Sequence, residues 1–377
     1  MRRLDAGSRS RAPRLLGLLL GLVALLALVG AGCGGDDGGS GEGSIWVLLP
    51  DSASSDRWEK DDRRFFEAAF DEAGVEYNIV NAEGDANTQL NQAEQAINAD
   101  ASVILLVNLS SESGATIIDR AREADVKVVD YDRLTAAGGG ADVYVSFDNV
   151  KVGQTMADTV GPEIDKLPGT PNVVMMNGGP TDNNSKLFKQ GYNETGDYAV
   201  KTKADAGEWK VVADQDVPDW DNQQALTLFE QILVAQKNDV DAVFAANDGI
   251  AGSVISALQS ANVDPIPVSG QDATAAGIQN ILAGRQTMTV YKPIEAEANA
   301  AADAAIALLN DEPVEDLEGD FEVMSINNGE ADLPYVALTP IAVTKDNIAD
   351  TVIADGFRTW AEICTGEYKQ YCPADAQ

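Results

Sequence analysis

The 377-residue chain has no histidine. That removes imidazole as a general base for activating a nucleophile and removes every His-based metal site. Cysteine is nearly as scarce: of three in the chain, only Cys364 and Cys372 follow the amino-terminal region. Basic residues are few as well, 26 Lys and Arg against 61 Asp and Glu, for a formal net charge of −35. So acidic a surface repels phosphate backbones and excludes nucleic acid as a partner. No apolar run reaches the roughly 20 residues a membrane-spanning helix needs; Leu15–Val29 is shorter.

What the amino terminus does contain is an export signal. Arg2, Arg3, Arg9, Arg11 and Arg14 precede the Leu15–Val29 run, and small residues then lead to Cys33. A basic segment, a short apolar segment and a small-residue exit make a cleavable signal over residues 1–33. Small residues directly before a cysteine point to lipoprotein processing, with Cys33 lipidated as the first mature residue, although Gly30 stands where an aliphatic residue is usual. Residues 34–44 (GGDDGGSGEGS) form a flexible tether by composition. Beyond residue 33 the balance is 21 basic against 60 acidic residues, a net of −39. Cys364 and Cys372, eight residues apart in an oxidising compartment, read as a local disulfide.

From Ser44 onward short apolar runs alternate with helical patterns. Ile45–Leu49, Val75–Val80, Val103–Val107, Val126–Tyr131 and Val143–Phe147 read as strands, and a second series runs from Val173–Met176 through Val211–Val212, Ala242–Ala245 and Val268 to Met288–Tyr291. Helical spacing of Trp58, Phe65, Phe66, Ala69, Phe70 and Ala73 ends at Gly74. Alternating strands and helices imply α/β domains with parallel sheets covered on both faces. Two series, in a length too great for one ordinary core, imply two such domains with a cleft at their strand carboxyl ends.

Polar residues collect just there: Asp56-Arg57-Trp58, Asp132-Arg133, Pro180 to Asn184, Asp219-Trp220, Asn247-Asp248, Gln271-Asp272 and Tyr291-Lys292. Any one alone reads more readily as a turn or a helix cap. Their recurrence at equivalent places after strands points to a ligand site. The chemistry suits a sugar: carboxylates accept from hydroxyls, cations donate, and the Asn amide does both. Arg57, Arg133 and Lys292 are expected to offset Asp182 and Asp272, which favours a neutral ligand. Trp58 and Trp220 can cover the C–H faces of a pyranose, with a core role as the alternative for each. No metal is expected. Asp214 to Asp219 opens like a calcium loop but lacks Gly at the sixth position and has Ala225 at the twelfth. Gly138-Gly139-Gly140 and Gly178-Gly179 lack the rest of a phosphate loop. The formal sequons at Asn108, Asn183 and Asn193 carry little weight behind a bacterial-type signal.

YDR at 131–133, SFDN at 146–149, DNNSKLF at 182–188, AND at 246–248, SGQDA at 269–273 and GRQTMTVYKPI at 284–294 closely resemble the xylose-binding receptors of bacterial ABC importers. TPI at 339–341 and DGF at 355–357 fit the same family, so the likeness spans about Ser44 to Phe357. The resemblance implies a type I periplasmic-binding fold: two Rossmann-like lobes joined by three crossings and closing on a ligand. It implies lobes formed by 45–147 with 293–326 and by 148–292 with 327–357, followed by a cysteine-containing tail, 358–377. It also implies that Arg57, Trp58, Arg133, Asp182, Asn184, Trp220, Asn247, Asp272 and Lys292 surround the sugar. Departures lie in SSDRW, in an acidic insert at 312–321, and in the tail. The expected function is a non-enzymatic, monomeric receptor without cofactor, held through Cys33 on the outer face of the cytoplasmic membrane. It would deliver a neutral monosaccharide, D-xylose, to an ABC permease and its ATPase. The alternatives are a sugar receptor feeding a membrane sensor kinase and, in another class, a secreted glycosidase, for which no acid and nucleophile can be assigned.

Overall fold

The computed structural model describes residues 43–55 and 57–374. The signal, Cys33, the tether up to residue 42, and Asp56 lie outside the described residues.

The elements run β1 (Ser44–Leu49), α1 (Arg63–Ala73), β2 (Glu76–Asn81), α2 (Ala86–Asn98), β3 (Ala101–Leu106), α3 (Ser111–Glu123), β4 (Lys127–Tyr131), β5 (Val143–Phe147) and α4 (Asn149–Ile164). There follow β6 (Asn172–Asn177), α5 (Asn183–Glu194), α6 (Val200–Asp205), β7 (Lys210–Asp216), α7 (Asn222–Gln236), β8 (Ala242–Ala245), α8 (Asp248–Ser260), α9 (Ala275–Leu282) and β9 (Met288–Tyr291). The last are α10 (Ile294–Leu309), β10 (Glu322–Asn327), β11 (Asp332–Leu338), β12 (Ile341–Thr344) and α11 (Trp360–Ile363).

The first lobe is built on a seven-stranded sheet in the order β10-β11-β5-β4-β3-β1-β2. Its five central strands run parallel, as continuous apolar sequences such as Ile45–Leu49 and Val103–Leu106 require when both faces are covered. One face packs on α1 and the alanine-rich α10, the other on α2 and α3. Phe66 and Phe70, one helical turn apart, bury the inner stripe of α1, and Gly74 stops the helix in the left-handed conformation at φ 67°.

The second lobe pairs β7, β6 and β8 in parallel. Val268 bridges to Val243 and Gln271 to Val290, which continues the sheet to β9 and its antiparallel partner β12. The tail packs on this lobe. Ile363, Cys364 and Cys372 join Ile278, Ile281 and Leu282 in one apolar cluster, and Cys364 and Cys372 are disulfide-bonded with Cα atoms 6.0 Å apart.

The chain changes sheet after β5, between β9 and α10, and between β11 and β12. The last of these corrects the expected break at 326/327. That position falls inside the β10–β11 hairpin, and β11 pairs with β5, so residues 327–338 belong to the first lobe. Pro334 obscures the strand in sequence. It has no N–H to donate, and it sits just before the register with β5 begins at Tyr335.

Candidate functional site

The strand ends of both sheets face one shared, narrow cavity. All nine residues singled out in the sequence line it, together with Ser54, Ser55, Asp132, Phe188 and Gln271.

Local folding fixes several of them. Asp182 caps α5 by accepting from the Asn184 N–H, and Asn247 caps α8 by accepting from the Ile250 N–H. The capping role and the cavity role are therefore the same placement: a helix that starts right after a strand aims its first polar residue at the cleft. Trp58 opens a π-helical turn, Trp58–Asp62, that runs directly into α1. Such turns re-aim side chains within a helix. Asp132, Asp219, Trp220, Asp272 and Ala273 all have φ between 46° and 101°. Non-glycine residues reach that region at a cost, and Asp132, Trp220 and Asp272 bear it at the cavity wall.

Contacts cross between the lobes. Arg133 Nε lies 3.1 Å from Asp182 Oδ2. Asn184 Nδ2 donates to the Asp132 carbonyl and carboxylate at 2.9 and 2.8 Å, while its Oδ1 accepts from Asn149. Ser55 Oγ donates to Asp272 Oδ2 at 2.9 Å, and Asn247 Nδ2 donates to the Ser54 carbonyl at 3.4 Å.

The charge pairing differs from the expected one. Only Arg133 pairs with a predicted carboxylate. Arg57 gives all its nitrogens to other acids: Nε and Nη2 to Asp62, Nη1 to Asp132 at 2.9 Å, and Nη2 also to Glu297 at 2.9 Å. Lys292 Nζ lies 2.5 Å from Asp132 Oδ2. Burial opposes the charge on Asp132, but Lys292 and Arg57 outweigh it and hold that carboxyl below its ordinary range. Among the described residues Asp272 has no cation at contact distance; it accepts from Ser55 and from the Gln271 amide, and burial pushes its pKa up. Burial also raises Asp182, against the pull of Arg133. Glu297, fully buried and pressed by Asp132, is raised to about 8.

The two tryptophans are both core and wall. Trp58, 3% exposed, stacks under the guanidinium of Arg57 at 4.3 Å and faces that of Arg133 at 5.5 Å, and its Nε1 donates to Ser54 Oγ. Trp220 donates Nε1 to Asp182 Oδ2 at 3.1 Å and meets Phe188 edge to face. Its ring rests directly on the Gly178-Gly179 backbone.

Sequence reasoning grouped Asp132 with Arg133 among the polar residues after the strands but did not carry it into the nine site residues, and it left Asp62 and Glu297 aside. Glu297 looks like an ordinary acid in the first turn of α10. Its inward direction depends on α10 packing over the first sheet, which no local pattern reveals. Among the described residues no cluster of acids or cysteines is arranged to hold a metal ion.

Two α/β lobes with parallel sheets, joined by three crossings and closing on a polar cavity with aromatic walls, define a solute receptor of the type I periplasmic-binding fold. The chain belongs to the periplasmic binding protein family: the model of the periplasmic binding protein domain matches residues 46–313. Members of that family are receptors, not enzymes, and so is this chain. It is 39% identical over 315 residues to the D-xylose-binding periplasmic protein of Escherichia coli, covering 83% of this chain and 90% of the relative. It is 38% identical over 340 residues to the D-xylose-binding periplasmic protein of Haemophilus influenzae, covering 89% and 97%. Among solved structures, a carbohydrate transporter solute binding protein from Chloroflexus aurantiacus in complex with D-glucose superposes with a TM-score of 0.75. It is 27% identical, covering 84% of this chain and 97% of that one.

Proposed function

We propose that this protein is the extracytoplasmic receptor of an ABC sugar importer and binds a neutral monosaccharide, D-xylose, between its lobes. The observation that carries the reading is the cavity wall. Side chains of both lobes supply donors and acceptors, Arg133, Asp182, Asn184, Asn247 and Asp272, beside the apolar faces of Trp58 and Trp220. A ring of hydroxyls meets the polar groups, and its C–H faces meet the indoles. The identity of 39% to a D-xylose-binding protein favours the pentose over the D-glucose of the structural neighbour.

A ligand held by both lobes binds the closed form better and shifts the population toward it. The closed form is what a permease and its ATPase would receive. In this reading a lipid on Cys33 holds the receptor on the outer face of the cytoplasmic membrane; the export signal and the small residues before Cys33 support it, and the glycine-rich composition of the tether suits it. Calorimetric titration of the soluble body with xylose, arabinose, ribose, glucose and galactose tests the ligand. Xylose is expected to bind most tightly. A hexose that outcompetes it would overturn the pentose reading, and no binding by any of them would overturn the receptor reading.

A further inference from the structure

The segment after β12 bridges the two lobes beside the second crossing, outside the lining of the cavity. Phe357 packs on Tyr291 with ring centres 5.0 Å apart, beside the second crossing, and Asp355 accepts from the Tyr291 hydroxyl. Arg358 follows. Its guanidinium lies 3.8 Å over the Phe357 ring, and its Nε donates to the Ala273 carbonyl at 3.2 Å. Its two terminal nitrogens form a fork on Asp61, Nη1 to Oδ1 at 3.1 Å and Nη2 to Oδ2 at 3.0 Å. Asp61 belongs to the first lobe and Ala273 to the second. The pair is well shielded, with the two side chains 11% and 4% exposed. Phe65 of the first lobe packs against the tail cluster beside the fork, so an apolar contact accompanies the ionic one.

Each end of this bridge is joined to a wall of the cavity. Asp61 sits on the π-helical turn that begins at Trp58, and Ala273 directly follows Asp272 in the strained loop. We infer that Arg358 and Asp61 are positioning residues that latch the two lobes together and set how long the closed receptor retains its ligand. The inference rests on the receptor reading for its consequence, but not for its geometry. The fork needs both lobes in their present relation, because opening the cleft carries Asp61 away from a guanidinium anchored on Ala273 and Phe357. It therefore stabilises the closed form specifically, whether or not ligand is present. Below the latch the tail is fixed by the Cys364–Cys372 disulfide, by the Gln279 amide donating to the Ile363 carbonyl at 2.8 Å, and by burial of Ile363 against α9. That foundation makes Arg358 a fixed arm and not a loose surface side chain.

Breaking a shielded, hydrogen-bonded ion pair acts mainly on dissociation. Arg358→Ala and Asp61→Ala are each expected to speed release of bound D-xylose roughly 10-fold with little change in association, a typical coupling between a conformational equilibrium and a site. The double variant should release no faster than either single one. Arg358→Lys should recover only part of the retention, because an ammonium keeps the charge but not the fork. Small-angle scattering of the ligand-free protein should show Arg358→Ala more extended than wild type. A wild-type release rate in both single variants, or losses that add in the double variant, would overturn the latch. If the wild-type protein binds no sugar, the receptor reading falls, and scattering alone decides the latch: equal dimensions for wild type and Arg358→Ala would refute it.

Discussion

Arg133 and Asp182 meet across the cavity from opposite lobes, Nε to Oδ2 at 3.1 Å, with both side chains almost wholly buried. The same Asp182 oxygen accepts from Trp220 Nε1, so one carboxylate aligns a cation of the first lobe and an aromatic wall of the second. Asp182→Ala would leave the guanidinium buried without its acceptor, and removing one member of such a pair costs about 3–5 kcal/mol. Part of that loss should appear in binding. We expect xylose affinity to fall by at least about 10-fold, each such factor being worth about 1.4 kcal/mol. Calorimetry on Asp182→Ala checks this; unchanged affinity would remove the carboxylate from the site.

Gly178 offers a way to disturb Trp220 without removing it. A Cβ at this position would lie 2.1 Å from the indole Cη2, well inside contact distance. Gly178→Ala must therefore tilt the ring away from its place on the β6 turn. Loss of a well-buried aromatic contact is worth about 1.5–3 kcal/mol, so sugar affinity should fall at least about 10-fold. Tryptophan fluorescence should shift in parallel. A displaced indole with undiminished affinity would show that the ring does not contact the ligand.

Cys33 carries the anchoring proposal. Small residues precede it and a glycine-rich tether follows. Cys33→Ser should move the protein from the membrane fraction to the soluble fraction or the medium, while sugar binding by the released body stays intact. Identical fractionation of wild type and variant would refute lipidation.

Most of the first nine strands were legible because parallel, doubly covered strands read as short apolar runs. β2 and β7, half-exposed edge strands, showed only the broken run Val75–Val80 and the short run Val211–Val212. β10 to β12 were not legible. β10 is an edge strand with mostly exposed residues, and β11 carries Pro334. The polar segments that hold the nine cavity residues were legible through position, since polar residues after successive strands converge once the sheets form; the choice of the nine within them came from the family resemblance. Their pairing was not legible. That Arg57 would turn to Asp62, Asp132 and Glu297 depends on α10 returning from the second crossing to cover the first sheet. The Arg358–Asp61 fork joins residues 297 positions apart and leaves no local trace.

The buried acids predict an unusual pH response. Asp248 sits behind Asp272, accepting from the Gln286 amide at 2.8 Å and from the Thr274 N–H at 2.8 Å. Burial, with the nearby Asp272 charge adding to it, pushes its pKa up to about 7. Burial likewise raises Asp130 to about 7 and Glu297 to about 8. An acid whose folded pKa exceeds its unfolded value keeps its proton in the native state after the unfolded chain has released it. Stability then falls as pH rises between the two values and levels off above the folded one. For Asp248 that window runs from about 4, the ordinary aspartate value, to about 7. Repulsion among the many surface carboxylates acts in the same direction, so the wild-type slope alone does not isolate the buried group. Asp248→Asn does, because the amide keeps an acceptor for Gln286 or Thr274 and has no proton to lose. The wild-type melting temperature should fall between pH 5 and pH 8, and the variant should fall by less over the same range. Equal slopes for the two proteins would mean that Asp248 is already ionised throughout.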